Sequence, residues 1–232
     1  MDYVEAIAYL HGLTDYETTR VRRYTPEAFN LARIEQLLEA VGSPHRDFRS
    51  VHVAGTKGKG STSAMVEACL REAGYRTALY TSPHLHTFRE RMRVGGEKIV
   101  RGEVVALVQE FRPLVERMPE LTTFEVITAM GFLHFARSDV EVAVVEVGLG
   151  GRLDATNVLS PEVAVITSIS LDHTYLLGDT LGEIAREKGG IIKSGIPTVS
   201  APQRAEAIQA VEAISLQRDS KLVEVCRDWD YD

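Results

Sequence analysis

Residues 51–61 read Val51-His52-Val53-Ala54-Gly55-Thr56-Lys57-Gly58-Lys59-Gly60-Ser61. The first four are mostly apolar and β-branched, the pattern of a buried strand. A glycine-rich turn follows from Gly55 to Gly60, and the pattern then becomes helical. That helix is expected over Ser61–Ala73, with Met65, Val66 and Leu70 inward. Thr77-Ala78-Leu79-Tyr80-Thr81 reads as a second strand, so residues 51–81 predict a βαβ unit with a parallel pair. Glycines between a strand and a helix let backbone N–H groups turn inward around phosphate oxygens, and the helix dipole favours the anion. Lys59 is placed to reach the β- and γ-phosphates, and the Ser61 hydroxyl to approach Mg²⁺. Gly60 separates that lysine from the serine, so the loop departs from a standard Walker A. Taken without its flanking strands, the loop is as readily a solvated turn.

The same alternation continues outward. Upstream, Thr25-Pro26 predicts a helix start, followed by Leu31, Ile34, Leu37, Leu38 and Val41 at helical spacing and a stop at Gly42 and Pro44. Downstream, Val94-Gly95-Gly96-Glu97 predicts a hairpin, Glu103–Val115 a helix, and Thr122-Thr123-Phe124-Glu125 a capping box opening a helix through Phe135. Val142–Val147 and Val163–Thr167 have strand length and composition. A helix near 181–188, a strand near 197–200, a helix over 204–217 and a strand over 221–225 complete the pass. This predicts an α/β fold: one domain with a mostly parallel sheet and helices on both faces.

Composition sets the class. The 232 residues include 26 Lys or Arg and 33 Asp or Glu, a net charge of −7, with 44% apolar and 25% charged residues. That is globular composition, too apolar for disorder. No run approaches the ~20 apolar residues of a membrane span, and the acidic balance argues against bulk nucleic-acid binding. Two cysteines, Cys69 and Cys226, are too few for a disulfide framework and are expected to be structural. A cytoplasmic location follows as the expectation.

Glu146 ends the apolar run Val142-Ala143-Val144-Val145. A carboxylate there is costly to bury unpaired, so a metal or cationic partner is expected. Read alone, His173 is a hydrogen-bonded loop histidine, and Lys188 a solvated lysine near the end of a helix, where its charge suits the dipole. Residues 89–101 carry five basic and two acidic side chains, a solvated basic loop or an attractor for an anionic tail.

With Gly55-Thr56-Lys57-Gly58-Lys59-Gly60-Ser61 stand six further segments: Thr81-Ser82-Pro83-His84-Leu85, Glu90-Arg91-Met92-Arg93, Thr123-Phe124-Glu125, Glu146 through Asn157, Leu171-Asp172-His173, and Glu187 through Lys193. Together, in this order, they resemble the folylpolyglutamate synthase/dihydrofolate synthase branch of the Mur ligase superfamily, and the likeness runs from residue 29 to about 200. The resemblance implies an ATP-dependent ligase with a Mur ligase-like central domain. It transfers the ATP γ-phosphate to a folate or dihydropteroate carboxylate, and the amine of L-glutamate then displaces phosphate from the acyl phosphate.

It implies that Gly55, Thr56, Lys57, Gly58, Lys59, Gly60 and Ser61 bind ATP, and that Ser61, Ser82, Glu146 and His173 hold Mg²⁺. Lys59, Glu146, His173 and Lys188 become the catalytic set, with Lys188 a carbamate. Thr122, Thr123, Phe124, Glu125, Leu153, Asp154 and Ala155 become the pterin-side contacts, and Phe29–Ala32 either a third such segment or simply an amphipathic helix. The capping box at Thr122 is compatible with a substrate role. Gly190 replaces an alanine common in relatives, which is expected to loosen that helix end. Relatives extend further, so residues 1–232 are expected to be the ATPase domain of a longer enzyme, monomeric when whole, and inactive alone. The competing expectations are a non-catalytic nucleotide- or pterin-binding fragment and another P-loop NTPase.

Overall fold

The computed structural model describes residues 1–13 and 29–229. In chain order the elements are α1 (Tyr3–His11), α2 (Leu31–Ala40), β1 (Arg49–Ala54), α3 (Lys59–Glu72), β2 (Thr77–Tyr80), β3 (Met92–Val94), β4 (Glu97–Lys98), α4 (Arg101–Val115), α5 (Thr123–Arg137), β5 (Val142–Glu146), β6 (Val163–Ile166), α6 (Thr174–Leu177), α7 (Leu181–Gly189), β7 (Thr198–Ser200), α8 (Ala205–Gln217) and β8 (Leu222–Glu224).

The strands form one sheet in the order β4-β3-β2-β5-β1-β6-β7-β8. It is parallel except for β3, antiparallel to both β2 and β4 around the Gly95-Gly96 turn. Strand β5 carries five consecutive buried residues because it lies inside the sheet between β2 and β1 and both its faces are covered, Val144 by α3 and Ala143 with Val145 by the cluster that includes α5. This corrects one expectation. The strands β1 and β2 are parallel but do not pair, since β5 lies between them.

Side chains alternate across the sheet. Val53, Leu79 and Val144 form a small cluster under α3, with Val66 and Leu70 against it. Met65 is 61% exposed, contrary to expectation: the inward positions of α3 are Ser63, Val66, Glu67 and Leu70, spaced three and four apart, and Met65 falls off that stripe. The opposite face carries two larger clusters. One joins α1, α2, α4 and α5 to Ala78, Tyr80, Ala143 and Val145. The other joins α7 and α8 to Ala54, Ala164 and Ile166.

Ile34, Leu37 and Leu38 are buried as their spacing requires, but α2 is capped by Asn30, whose Oδ1 accepts from Ala32 N at 2.9 Å. The Thr25-Pro26 start lies outside the described residues. Thr122 caps α5 as expected, with the reciprocal Glu125 contact in place. Cys69 and Cys226 are free and exposed, so neither has the buried place that its expected structural role would give it. The 89–101 segment is less solvated than its charge suggests. Arg91 is buried with Nε 3.1 Å from His84 Nδ1, Lys98 pairs with Glu90, and Arg101 lies over the Tyr3 ring.

Candidate functional site

Parallel strands deliver their C-terminal ends to one edge of the sheet, where open α/β folds bind ligands. Four such ends meet here: Gly55 after β1, Ser82 after β2, Glu146 closing β5 and Thr167 after β6.

The loop after β1 is built from backbone. Gly55 has φ of +150°, and a Cβ there would sit 1.8 Å from Thr167 Oγ1, so glycine is required twice over. Thr56 ties the loop to the strand beyond: its N–H donates to Ser168 O at 2.9 Å and its hydroxyl to Ser170 O at 3.1 Å. Gly58, at φ of +86°, is the N-cap of α3, and no side chain caps that helix. The helix begins at Lys59, two residues earlier than expected, so Lys59, Gly60 and Ser61 form its first turn. An uncapped 14-residue helix presents N–H donors and the positive end of its dipole to whatever occupies the loop.

Glu146 lies directly behind this turn. Its side chain is 6% exposed, and Oε2 accepts from Ser82 N at 3.1 Å. A Cβ on Gly60 would come within 3.3 Å of the same oxygen, which accounts for the glycine that breaks the Walker pattern. Burial pushes the Glu146 carboxyl above its usual range, opposed by the Ser82 N–H and the charge of Lys59. The site holds a desolvated acid that gains from any cation brought to it.

Lys188, in the last turn of α7, is also buried, and its Nζ donates to Gly55 O at 2.9 Å. Burial first, and then the Lys59 charge, lower its pKa to about 8. This lysine is not the solvated helix end that its local sequence suggests. Gly190 follows it at the helix cap, and a Cβ there would lie 2.4 Å from Arg152 Cα. Glycine therefore lets α7 meet the 148–155 loop backbone to backbone, rather than loosening the helix.

Beyond Ser82 opens a cavity of about 480 Å³. Its wall is largely apolar: Phe29, Leu31, Pro83, Phe124, Leu149, Leu153, Ala155 and Leu176, with Asn30, Arg33, Ser82, Thr122, Glu125, Asp154, His173 and Tyr175 as the polar-bearing members. Arg33 Nε meets Glu125 Oε1 at 3.0 Å with both side chains largely buried. The cavity thus unites Phe29–Leu31, Thr122 with Phe124 and Glu125, Leu153–Ala155, Ser82 and His173. It does not include Thr123, whose hydroxyl donates to Leu10 O, away from the cavity. Arg33, Tyr175 and Leu176 escaped the sequence reading, and Pro83 and Leu149 stood in its quoted segments without a site role. Arg33 was the findable one, because it is the one basic residue of α2, in its first turn, directly after the Phe29–Ala32 segment already singled out.

Asp154 is completely engaged by its own loop. Its carboxylate accepts from Leu149 N at 2.8 Å, from Thr156 N at 3.0 Å and from the Thr156 hydroxyl. His173 caps α6 at φ of +47°, a left-handed conformation that costs a non-glycine residue roughly 1–2 kcal/mol. Its ring is about half exposed on the cavity rim, with Asp172 Oδ1 3.9 Å from Nε2. Among the described residues, no three His, Cys, Asp or Glu side chains converge as a ready-made metal cluster. Ser82 and Glu146 do converge, and with Ser61 they offer hydroxyl and carboxylate oxygens, the donors a hard dication takes.

Residues 53–201 match the Mur ligase middle domain. The chain belongs to the Mur ligase family. It is 43% identical over 215 residues to the dihydrofolate synthase/folylpolyglutamate synthase of Bacillus subtilis, covering 90% of this chain and 48% of that protein. It is similar, at a TM-score of 0.87 and 37% identity, to a Mycobacterium tuberculosis folylpolyglutamate synthase complexed with ADP, covering 97% of this chain and 50% of that one. A solved FPGS–AMPPCP–folate complex gives a TM-score of 0.90 at 37% identity over 98% of this chain and 55% of the other. This Mur ligase domain therefore spans about half the length of the relatives it matches. No helix among the described residues is long and apolar enough to cross a membrane.

Proposed function

We propose that this domain is the ATP- and pterin-binding part of a ligase that adds L-glutamate to folate or dihydropteroate. The observation that carries the proposal is Ser82: its N–H holds Glu146 behind the phosphate loop, while the residue itself lines the neighbouring apolar cavity. A nucleotide in the loop and an aromatic carboxylic acid in the cavity would meet there. Phosphoryl transfer needs little more of the protein than alignment and charge neutralisation at that meeting point.

The chain's own groups would divide the work as follows. The N–H groups of the Gly55–Ser61 turn orient the phosphates, and Lys59 offsets their charge. Phe124 and Leu153 hold the flat ring system and exclude water. The substrate carboxylate oxygen attacks the γ-phosphorus, releasing ADP. The glutamate amine then attacks the acyl carbon, and phosphate leaves. Ser61, Ser82, Glu146 and His173 would hold Mg²⁺, three oxygen donors and one nitrogen. A bound Mg²⁺ would neutralise the repulsion between triphosphate and carboxylate.

Lys188 is the residue we assign to a carbamate. Its amine nitrogen bonds to carbon dioxide and loses a proton, giving an anionic group beside Lys59. The lowered pKa keeps a usable fraction of neutral amine near pH 8. A carbon-13 spectrum in labelled bicarbonate tests this directly, and a bare amine throughout would remove it. The whole protein is proposed to be a cytoplasmic monomer without nucleic-acid or membrane partners.

Calorimetry with AMPPCP and with folate tests the central reading. Both are expected to bind, and phosphate release by the intact enzyme should require ATP, a pteroate substrate and glutamate together. Binding of AMPPCP without any folate or dihydropteroate affinity would leave a nucleotide-binding protein of another kind.

A further inference from the structure

Strand β1 places an imidazole where its neighbours are aliphatic. His52 is fully buried, and its register partners on the flanking strands are Val145 and Ala164, both fully buried as well. It sits on the sheet face shared by the two larger apolar clusters, next to the seam between them. Burial, and then the charge of Lys193, lower its pKa to about 3, so the ring is neutral. A leucine of similar volume would fill this place without the penalty of desolvating two ring nitrogens.

The ring makes one hydrogen bond. Its Nε2 lies 2.8 Å from Thr156 Oγ1, and its Nδ1 has no hydrogen-bond partner among the described residues. The Thr156 hydroxyl donates to Asp154 Oδ1, which also accepts the Thr156 N–H, so the hydroxyl oxygen is left to accept from His52. That fixes the ring as the Nε2–H tautomer. On its far side, Asp154 Oδ2 accepts from Leu149 N at 2.8 Å. The chain of bonds begins three residues before Gly55 and ends at Leu149 and Asp154, which line the cavity.

We propose that His52 is a positioning residue: through Thr156 it fixes the Asp154 carboxylate, and so holds the 148–155 wall of the cavity in register with the phosphate loop on the same strand. This rests on the reading of that cavity as the folate or dihydropteroate site. Such a ligation needs two ligands aligned to within a fraction of an ångström, and a single strand carrying both anchors supplies that alignment. Asp154 is thereby a scaffold carboxylate, its oxygens committed to the loop.

The test compares His52→Leu, His52→Gln, Thr156→Val and Thr156→Ser. Folate and AMPPCP affinities are read by calorimetry, and amide hydrogen exchange is followed at Leu149 and Thr156. His52→Leu and Thr156→Val should weaken folate by about tenfold or more, leave AMPPCP within about twofold, and speed exchange at both amides. The Gln amide and the Ser hydroxyl restore the donor and the relay, so those two variants should recover both properties. Unchanged folate affinity and exchange in His52→Leu would overturn the proposal. So would equal loss of both ligands with faster exchange across the whole sheet, which is the behaviour of a merely structural residue. If His52→Leu fails to fold, the Thr156→Val and Thr156→Ser pair decides. If the wild-type protein binds no folate, the cavity's ligand assignment falls by itself. Exchange at Leu149 and Thr156 then still decides the relay: dependence on His52 supports it, and independence overturns it.

Discussion

The phosphate loop and the apolar cavity lie on either side of Ser82, and they are made in opposite ways. The loop is seven consecutive residues whose working parts are backbone N–H groups, shaped by Gly55 and Gly58 at positive φ. The cavity draws side chains from segments around residues 29–33, 82–83, 122–125, 148–155 and 173–176. A backbone site is intolerant, because a single Cβ in the wrong place displaces the element itself. A side-chain site is divided among many contributors, and each contributes modestly.

The sharpest way to break that contrast is Gly55→Val. Its Cβ would meet Thr167 Oγ1 at 1.8 Å in a conformation that valine avoids. Strain and overpacking together should remove about 3 kcal/mol or more of stability, seen in denaturant unfolding, and abolish AMPPCP binding. A variant with wild-type unfolding would show that the loop is pliable. Lys59→Ala comes next. It should weaken AMPPCP by about 1.5–3 kcal/mol, the range for hydrogen bonds to charged groups, with folate affinity and melting temperature little changed. Equal loss of both ligands would show that the two halves are not separable.

Acid titration addresses the strand joining the halves. The native His52 resists protonation until about pH 3, against 6.5 for an ordinary histidine, so the unfolded state binds the extra proton between those values. Stability should therefore fall as pH drops below 6.5, by about 1.4 kcal/mol at pH 5.5 from this group alone. His52→Gln should lack that component while keeping its stability at pH 8. Parallel profiles for the two proteins would mean that the native ring takes up its proton at the same pH as an unfolded histidine. The smallest expected effect is Phe124→Leu. Phe124 stacks edge-on to Tyr80 at 6.3 Å and fills the space above Gly148. Losing that ring should weaken folate by about 0.5–1.5 kcal/mol and leave AMPPCP untouched.

How much of this was readable in the chain depends on the distance over which each feature is encoded. The strand ending at Ala54, the capping box at Thr122 and the buried run before Glu146 are all local patterns, and each is where its residues implied, while the glycine turn after Ala54 is shorter than implied because the helix already takes in Lys59 and Gly60. The strand order was not readable, because nothing in β1 or β2 says that a strand some ninety residues later slips between them. The cavity was half readable. The segments named in the chain line one cavity, but Thr123 turns to Leu10 and Arg33 turns in, and helix phase against a particular neighbour decides such matters.

The sequence by itself determined the alternating α/β architecture, the glycine-rich turn between strand and helix and the resemblance to a ligase family, since backbone conformation and hydrophobic period act within a few residues. The tertiary structure alone decided that Lys188 is buried against Gly55, that Gly190 permits a backbone contact with Arg152, and that His52 reaches Asp154 through Thr156. Each of those depends on desolvation and on approach between distant segments, and both come into being only when the sheet closes its layers.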